Sequence, residues 1–213
     1  MAHHLQRLTA LLILGAALQA APFSHKLHLK LIAQCERCHA SAATSTKAED
    51  NNLPKAEACL PCHAAPTIGE PRKLTVTRFN HQKHAAFSNI AALIQSAIAA
   101  KTYYASPIDH MPQAEVAAHL KTSHNACTAC HRGIGQSEAP SPALHANMPD
   151  CLTCHSKIDN PFSCELCHSP GQNLKPASHT PDYVDRHSTG KLNLDKQSCQ
   201  VCHGRRFQCL GCH

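Results

Sequence analysis

The sequence lacks tryptophan altogether and has few other aromatic residues. Its 213 residues include five Phe and three Tyr, and aromatic side chains make up 4% of the chain. Because aromatic side chains contribute a large share of core energetics, this chain cannot build an ordinary aromatic core. Segments rich in Ser, Thr, Asn and Pro indicate loops between its few apolar stretches. Much of the apolar mass that holds the fold must therefore come from something other than side chains.

Cysteine, by contrast, is abundant, and all fourteen cysteines lie in seven copies of Cys-x-x-Cys-His. This pentapeptide attaches c-type haem: the thiols form thioethers with the porphyrin and the histidine becomes the proximal iron ligand. The sequence therefore predicts seven covalently bound haem c groups. The predicted attachment residues are Cys35, Cys38, Cys59, Cys62, Cys127, Cys130, Cys151, Cys154, Cys164, Cys167, Cys199, Cys202, Cys209 and Cys212, and the predicted proximal ligands are His39, His63, His131, His155, His168, His203 and His213.

Zinc sites and disulfides are the competing interpretations of paired cysteines. Zinc ribbons combine two Cys-x-x-Cys pairs and need no histidine at the next position, and seven is an odd number of pairs. Disulfides and redox dithiols do not require that histidine either. The chain has 19 histidines in 213 residues, so composition alone does not place one after every pair. The spacing favours haem attachment.

The N-terminal segment predicts export. Arg7 is the only Lys or Arg among the first twenty residues, and residues 8–20 form an apolar run that ends in small residues. This order is typical of a secretory signal peptide, here expected over residues 1–20. A 13-residue helix spans about 20 Å, short of the roughly 30 Å hydrocarbon core. The sequence thus predicts a periplasmic or extracellular protein with no transmembrane segment in the mature chain.

Ten histidines outside the motifs and the predicted signal peptide are candidates for the second iron ligand. The segment Phe23-Ser-His25-Lys-Leu-His28 recurs 56 residues later as Phe79-Asn-His81-Gln-Lys-His84. Two histidines three apart share a helical face but stand one turn apart, so each pair is expected to serve two different irons. The predicted distal ligands are these four together with His179, His187, His145 and His124. His119 and His110 rank last, and Met148 is a candidate thioether ligand.

The Phe-x-His-x-x-His segment shortly before a first Cys-x-x-Cys-His resembles the N-terminus of the class III multihaem cytochromes c, the c3 and c7 type. The resemblance implies that His25 is the distal ligand of the first haem and that His28 serves another haem. It also implies low-potential, bis-His haems packed closely in a fold of loops and short helices, working as a periplasmic electron carrier. The segment from His179 to His187, with the two motifs after it, resembles the closing part of many larger multihaem cytochromes. Seven haems exceed the three or four usual in the family.

Motif spacing predicts the domain organisation. A signal peptide (1–20), an N-terminal two-haem module (21–86), a helical connection (87–126) and a C-terminal five-haem module (127–213) are expected. Apolar residues at helical spacing predict a helix over 88–105, with a second over 113–123. A helix over 88–105 could dock a partner or, as we favour, pack on haem. The predicted fold class is mostly coil with short α-helices and little or no β-sheet.

Three functions fit such a chain. An electron carrier needs two side-chain ligands on every iron, and ten candidate histidines for seven irons allow it. A multihaem reductase needs an iron with an open position; pentahaem nitrite reductases typically mark it with Cys-x-x-Cys-Lys, which this chain lacks. A conductive filament of polymerised cytochrome is the third. We expect the carrier, which is not an enzyme and has redox proteins as partners. Fourteen haem propionates would reverse the formal charge of +6, so nucleic acid is not an expected partner.

Overall fold

The fold is described from a computed structural model, which covers residues 22–71, 75–103, 111–155, 164–176, 178–191, 199 and 202–203. The predicted signal peptide, His110 and the last motif from Cys209 to His213 lie outside the described residues. The expectations for these parts of the chain remain predictions.

Short helices joined by coil make up the described part of the chain. The α-helices are α1 (His25–His28), α2 (His81–Ala85), α3 (Ala91–Ala99), α4 (Gln113–Leu120), α5 (Ala126–Cys130), α6 (Met148–Cys154) and α7 (Tyr183–Ser188). Turns of 3₁₀ helix lie at Cys35–Arg37, Ala40–Ala43, Ala56–Ala58, Ile134–Gln136, Pro142–Leu144 and Cys164–Leu166. Within these residues the β-structure is one isolated antiparallel bridge, Val76 with His168. The predicted fold of coil and short helices without a sheet is confirmed.

No helix among the described residues is both long and apolar enough to cross a membrane.

The side-chain core lies almost entirely in the helical connection. Apolar residues one turn apart on α3 and α4 face each other, as on any pair of packed amphipathic helices. The buried cluster consists of Ala91, Ile94, Tyr103, Met111, Val116, Leu120 and Ala129. The helix predicted over 88–105 is therefore shorter, and its buried face packs against α4 rather than standing open to a partner. The helix predicted over 113–123 begins at Gln113 as expected and ends at Leu120.

Residues 22–71 have almost no core of their own. Ser45 and Ala48 are the only buried residues in this range. Several large apolar side chains lie exposed instead: Phe23 is 43% exposed, Leu27 58% and Leu60 53%. Side-chain burial alone contributes little to the stability of this segment. This segment therefore fits the expectation that a bound apolar group, rather than side-chain packing, stabilises it.

Candidate functional site

Each fully described Cys-x-x-Cys-His motif forms one helical turn. The backbone N–H of the histidine donates to the carbonyl of the first cysteine in all five motifs. The N–O distances are 2.8 Å at His39, 3.0 Å at His63, 2.7 Å at His131, 2.9 Å at His155 and 2.9 Å at His168. Residues i, i+3 and i+4 of a helical turn share a face, so both thiols and the imidazole lie on the same side. This arrangement suits the attachment of one flat group by two sulfurs and one nitrogen.

Ten of the motif thiols are in no disulfide and so are available for such attachment. Cys35, Cys38, Cys59, Cys62, Cys127, Cys130, Cys151, Cys154, Cys167 and Cys202 form no disulfide. Burial raises the pKa of Cys35 to about 11, of Cys130 to about 11 and of Cys151 to about 12. A reactive redox dithiol requires the opposite shift, towards a thiolate at neutral pH. The structure therefore disfavours a redox dithiol at these three cysteines.

Backbone carbonyls fix the tautomer of several imidazoles. In the motifs, Nδ1 of His39 donates to the Asn52 carbonyl (2.7 Å), Nδ1 of His131 to that of Leu144 (3.0 Å) and Nδ1 of His168 to that of Thr75 (3.0 Å). A carbonyl only accepts, so Nδ1 must carry the proton and Nε2 keeps its lone pair. Metal-binding histidines usually have their second nitrogen held in this way.

Burial keeps several of these rings neutral. Burial, followed by the charges of His39, His28 and His131, lowers the pKa of His25 to about 4. Burial also lowers the pKa of His131, His81 and His179. A neutral imidazole is the form that binds a metal. At pH 7 these four rings are therefore ready to act as ligands.

Five motif histidines each lie opposite a histidine from outside the motifs. The ring centroids are separated by 6.0–6.4 Å, and the angle between the ring planes varies from 12° to 67°. The five pairs are His39 with His25, His63 with His28, His131 with His145, His155 with His84, and His203 with His179.

The spacing of the pairs distinguishes an iron between two axial ligands from a tetrahedral zinc. With metal–nitrogen bonds of about 2 Å, two imidazoles on opposite sides of one metal have ring centroids about 6.3 Å apart. Two imidazoles at a tetrahedral angle on one zinc have centroids about 5 Å apart. The observed spacings match the first arrangement. The residues present therefore fit haem, whose porphyrin would provide the four equatorial nitrogens.

The two Phe-x-His-x-x-His segments hold their histidines in the same way. In the first, the Ser24 side chain caps α1 by accepting from Leu27 N–H (3.2 Å), and Nδ1 of His28 donates to the Ser24 carbonyl (2.8 Å). Phe23 meets the edge of the His25 ring at 4.8 Å and stacks on the His28 ring at 4.3 Å between centroids. The phenyl ring thereby orients both imidazoles.

The second segment repeats this geometry closely. Asn80 caps α2 by accepting from Lys83 N–H (2.8 Å), and Nδ1 of His84 donates to the Asn80 carbonyl (2.7 Å). The Phe79 ring lies 4.6 Å from the His81 ring and 4.4 Å from the His84 ring. The sequence repeat is thus also a structural repeat.

The remaining predicted ligands belong to none of these five pairs. After burial, the charge of the motif histidine His131 is the next cause that lowers the pKa of His81, so these two rings lie near each other. Nδ1 of His81 lies 3.4 Å from the Asn52 amide nitrogen. His119 pairs with Glu115 at 3.7 Å, and His187 stacks on Tyr183 at 5.9 Å. Met148 begins α6, three residues before Cys151.

One buried polar cluster was not predicted from the sequence. Arg132, directly after a motif histidine, pairs with Asp150, directly before a motif cysteine, and both side chains are buried. Tyr103 OH and Asn147 N–H also donate to the Asp150 carboxylate, at 2.9 and 2.8 Å. The cluster joins the third motif, the fourth motif and the helical connection. No periodic pattern marks such a pair, so the sequence offered no signal for it.

The described residues include no group of three or more His, Cys, Asp or Glu side chains that could hold a metal ion. No protein-family model matches the chain, and no curated protein or solved structure matches it either.

Proposed function

We propose that this protein is an exported seven-haem c-type cytochrome that carries single electrons to and from redox protein partners, and that it is not an enzyme. The observation that most supports the proposal is the set of five histidine pairs with centroids 6.0–6.4 Å apart. Each pair combines a motif histidine with a histidine distant in sequence. The resemblance to class III multihaem cytochromes is part of the same proposal.

The chain's own residues would perform distinct tasks in such a carrier. The paired cysteines anchor each haem, and the motif turn holds the proximal imidazole beside them. Bound haem would supply an iron that alternates between the ferric and ferrous states. Carbonyl acceptors such as Asn52 and Leu144 orient the proximal rings and raise their basicity. Two imidazoles at each of the five paired motifs would leave no position there for a substrate, which favours a carrier over a reductase.

Covalent haem content tests the proposal. The full chain is produced in a host with c-type haem maturation, and its mass is measured after denaturation and acid–acetone extraction. We expect the mass of the processed chain plus seven haems. The matched control, Cys59→Ala with Cys62→Ala, should lose one haem and keep six. A full-length chain that retains no haem under these conditions would overturn the proposal.

A further inference from the structure

Two parts of the chain contain the same series of motifs. Repeat A comprises residues 23–63, and repeat B comprises residues 79–86 together with 127–155. Each begins with Phe-x-His-x-x-His and contains two motifs, and the second motif follows the first by 24 residues in both: Cys35 to Cys59 and Cys127 to Cys151. Six residues separate His28 from Cys35, whereas 42 separate His84 from Cys127. Repeat B is therefore repeat A with the helical connection inserted.

The hydrogen bonds of the two repeats correspond residue by residue. In each, the first motif histidine donates from Nδ1 to the carbonyl 13 residues further along the chain, Asn52 in repeat A and Leu144 in repeat B. A serine six residues after that histidine, Ser45 or Ser137, is buried and donates to the carbonyl two residues on. The correspondence extends beyond the motifs to the loops between them.

The two repeats exchange equivalent contacts. Lys26, next to His25 in repeat A, donates its N–H to the Ser137 carbonyl of repeat B (3.0 Å). Gln82, next to His81 in repeat B, donates its N–H to the Ser45 carbonyl of repeat A (2.9 Å). A pair of contacts in which i meets j and j meets i is the signature of a twofold interface. The repeats are thus related by an internal pseudo-twofold axis.

The first motif of each repeat lies close to this axis, because α1 packs against the turn Ile134–Gln136 that follows the third motif, and α2 packs against the turn Ala40–Ala43 that follows the first. After burial, the neighbouring Cys127 thiol is the next cause that raises the pKa of Cys35 to about 11, through charge and a side-chain hydrogen bond. Cys35 and Cys127 are equivalent residues of the two repeats. In repeat A, α1 lies beside both motifs, because its His25 pairs with His39 of the first motif and its His28 pairs with His63 of the second.

The fifth motif lies next to repeat B. The buried Arg132–Asp150 pair joins the third motif to the fourth. Just before Phe79, Thr77 N–H donates to the Cys167 carbonyl (2.8 Å), and the Thr75 carbonyl accepts from Nδ1 of His168 (3.0 Å). The fifth motif therefore lies beside the segment that carries His84, the partner of His155 in the fourth motif.

We infer that the first five attachment motifs lie in space in the order second, first, third, fourth, fifth, with the pseudo-twofold axis between the first and the third. The inference rests on the proposed function, because the order concerns electron transfer only if the motifs hold haem. One electron would pass at a time between neighbours, with no bond formed or broken. The second motif is one end of this series of five, and Cys62 and His63 are exposed there.

Diffraction from crystals of the haem-loaded protein at the iron absorption edge tests the order directly. Among the irons of the first five motifs, we expect the iron at the first motif to have the irons of the second and third motifs as its nearest neighbours, and the iron at the second motif to have only the first motif's iron close to it. Adjacent irons at the second and third motifs, as in a series that follows the sequence, would overturn the inference. A protein without haem would instead overturn the proposed function.

A solution test uses the exposed ion pair between the repeats, Lys26 with Glu138 at 2.8 Å. Carbodiimide treatment of the haem-loaded protein should join these two side chains, and peptide mass spectrometry would identify the link. Glu138→Gln, the matched control, should remove the link and leave the haem content unchanged. A haem-loaded protein in which Lys26 links elsewhere and never to Glu138 would contradict the arrangement of the repeats.

Discussion

The helical connection and the N-terminal residues 22–71 hold themselves together in different ways. The connection packs Ile94 of α3 against Val116 and Leu120 of α4, and all three are almost fully buried. Residues 22–71 bury only Ser45 and Ala48 and leave Phe23 and Leu27 exposed. One region has an ordinary side-chain core, and the other presents thiols and imidazoles.

The difference shows what the scarcity of aromatic residues means locally. The described residues form one small side-chain core, and apart from Ala129 of the third motif it lies between the motifs. Where motifs are dense, stability must come from the group they bind, as in small proteins held by metals or cross-links. The following predictions act on one region and spare the other.

Preventing haem attachment should have the largest effect. In a chain produced without haem maturation, residues 22–71 should lose protection from hydrogen exchange, because they have no core to replace haem. Amides of α3 and α4 should keep measurable protection. Mass spectrometry of exchanged peptides gives the comparison, and equal protection in both regions would contradict it.

Breaking the buried ion pair should be the next most damaging change. Arg132→Met leaves the Asp150 carboxylate buried without its partner, which typically costs about 3–5 kcal/mol. Denaturant unfolding of the haem-loaded protein measures the loss. Lys26→Met is the matched control, since it removes an exposed ion pair and should change stability little. Similar losses of unfolding free energy in both variants would show that burial of the Arg132–Asp150 pair does not determine the cost of breaking it.

Truncating the core of the connection should cost somewhat less. Ile94→Ala creates a cavity beside Val116 and Leu120, and such changes cost about 2–5 kcal/mol. The neighbouring Leu93 is 47% exposed, so Leu93→Ala should cost much less. The haem absorption spectrum should be the same in both variants. A changed spectrum in Ile94→Ala would mean that the face of α3 that carries Ile94 also packs on haem.

The smallest expected effect concerns the helix caps of the two repeats. Ser24→Ala and Asn80→Ala each remove an oxygen that accepts from the first turn of α1 or α2, a loss of about 1 kcal/mol. Ser24→Asn keeps an acceptor and should retain most of the stability. Ser24 also donates to the exposed Glu138 carboxylate (2.8 Å), so a clearly larger cost in Asn80→Ala than in Ser24→Ala would show that the two caps are not equivalent in energy.

The motifs and the repeated Phe-x-His-x-x-His segment were readable from the sequence, because both depend on spacing within one helical turn. Apart from His25, which the resemblance assigned to the first motif, the motif partners of the histidines could not be predicted from the sequence. His84 meets His155 across 71 residues, and only the placement of α2 beside the fourth motif brings them together. The equal spacing of Cys35 to Cys59 and Cys127 to Cys151 was present in the sequence. This spacing alone does not show that the two repeats pack against each other. That arrangement follows only from the hydrogen bonds that the carbonyls of Ser45 and Ser137 accept from the other repeat.

An electron paramagnetic resonance spectrum of the oxidised, haem-loaded protein tests most directly whether each iron is held by two histidines. The account predicts low-spin signals only. It also predicts one high-spin haem in His28→Ala, which removes the partner of His63, and none in His124→Ala, because His124 belongs to none of the five histidine pairs. A stoichiometric high-spin signal in the unaltered protein would contradict the account and favour a reductase with an open iron.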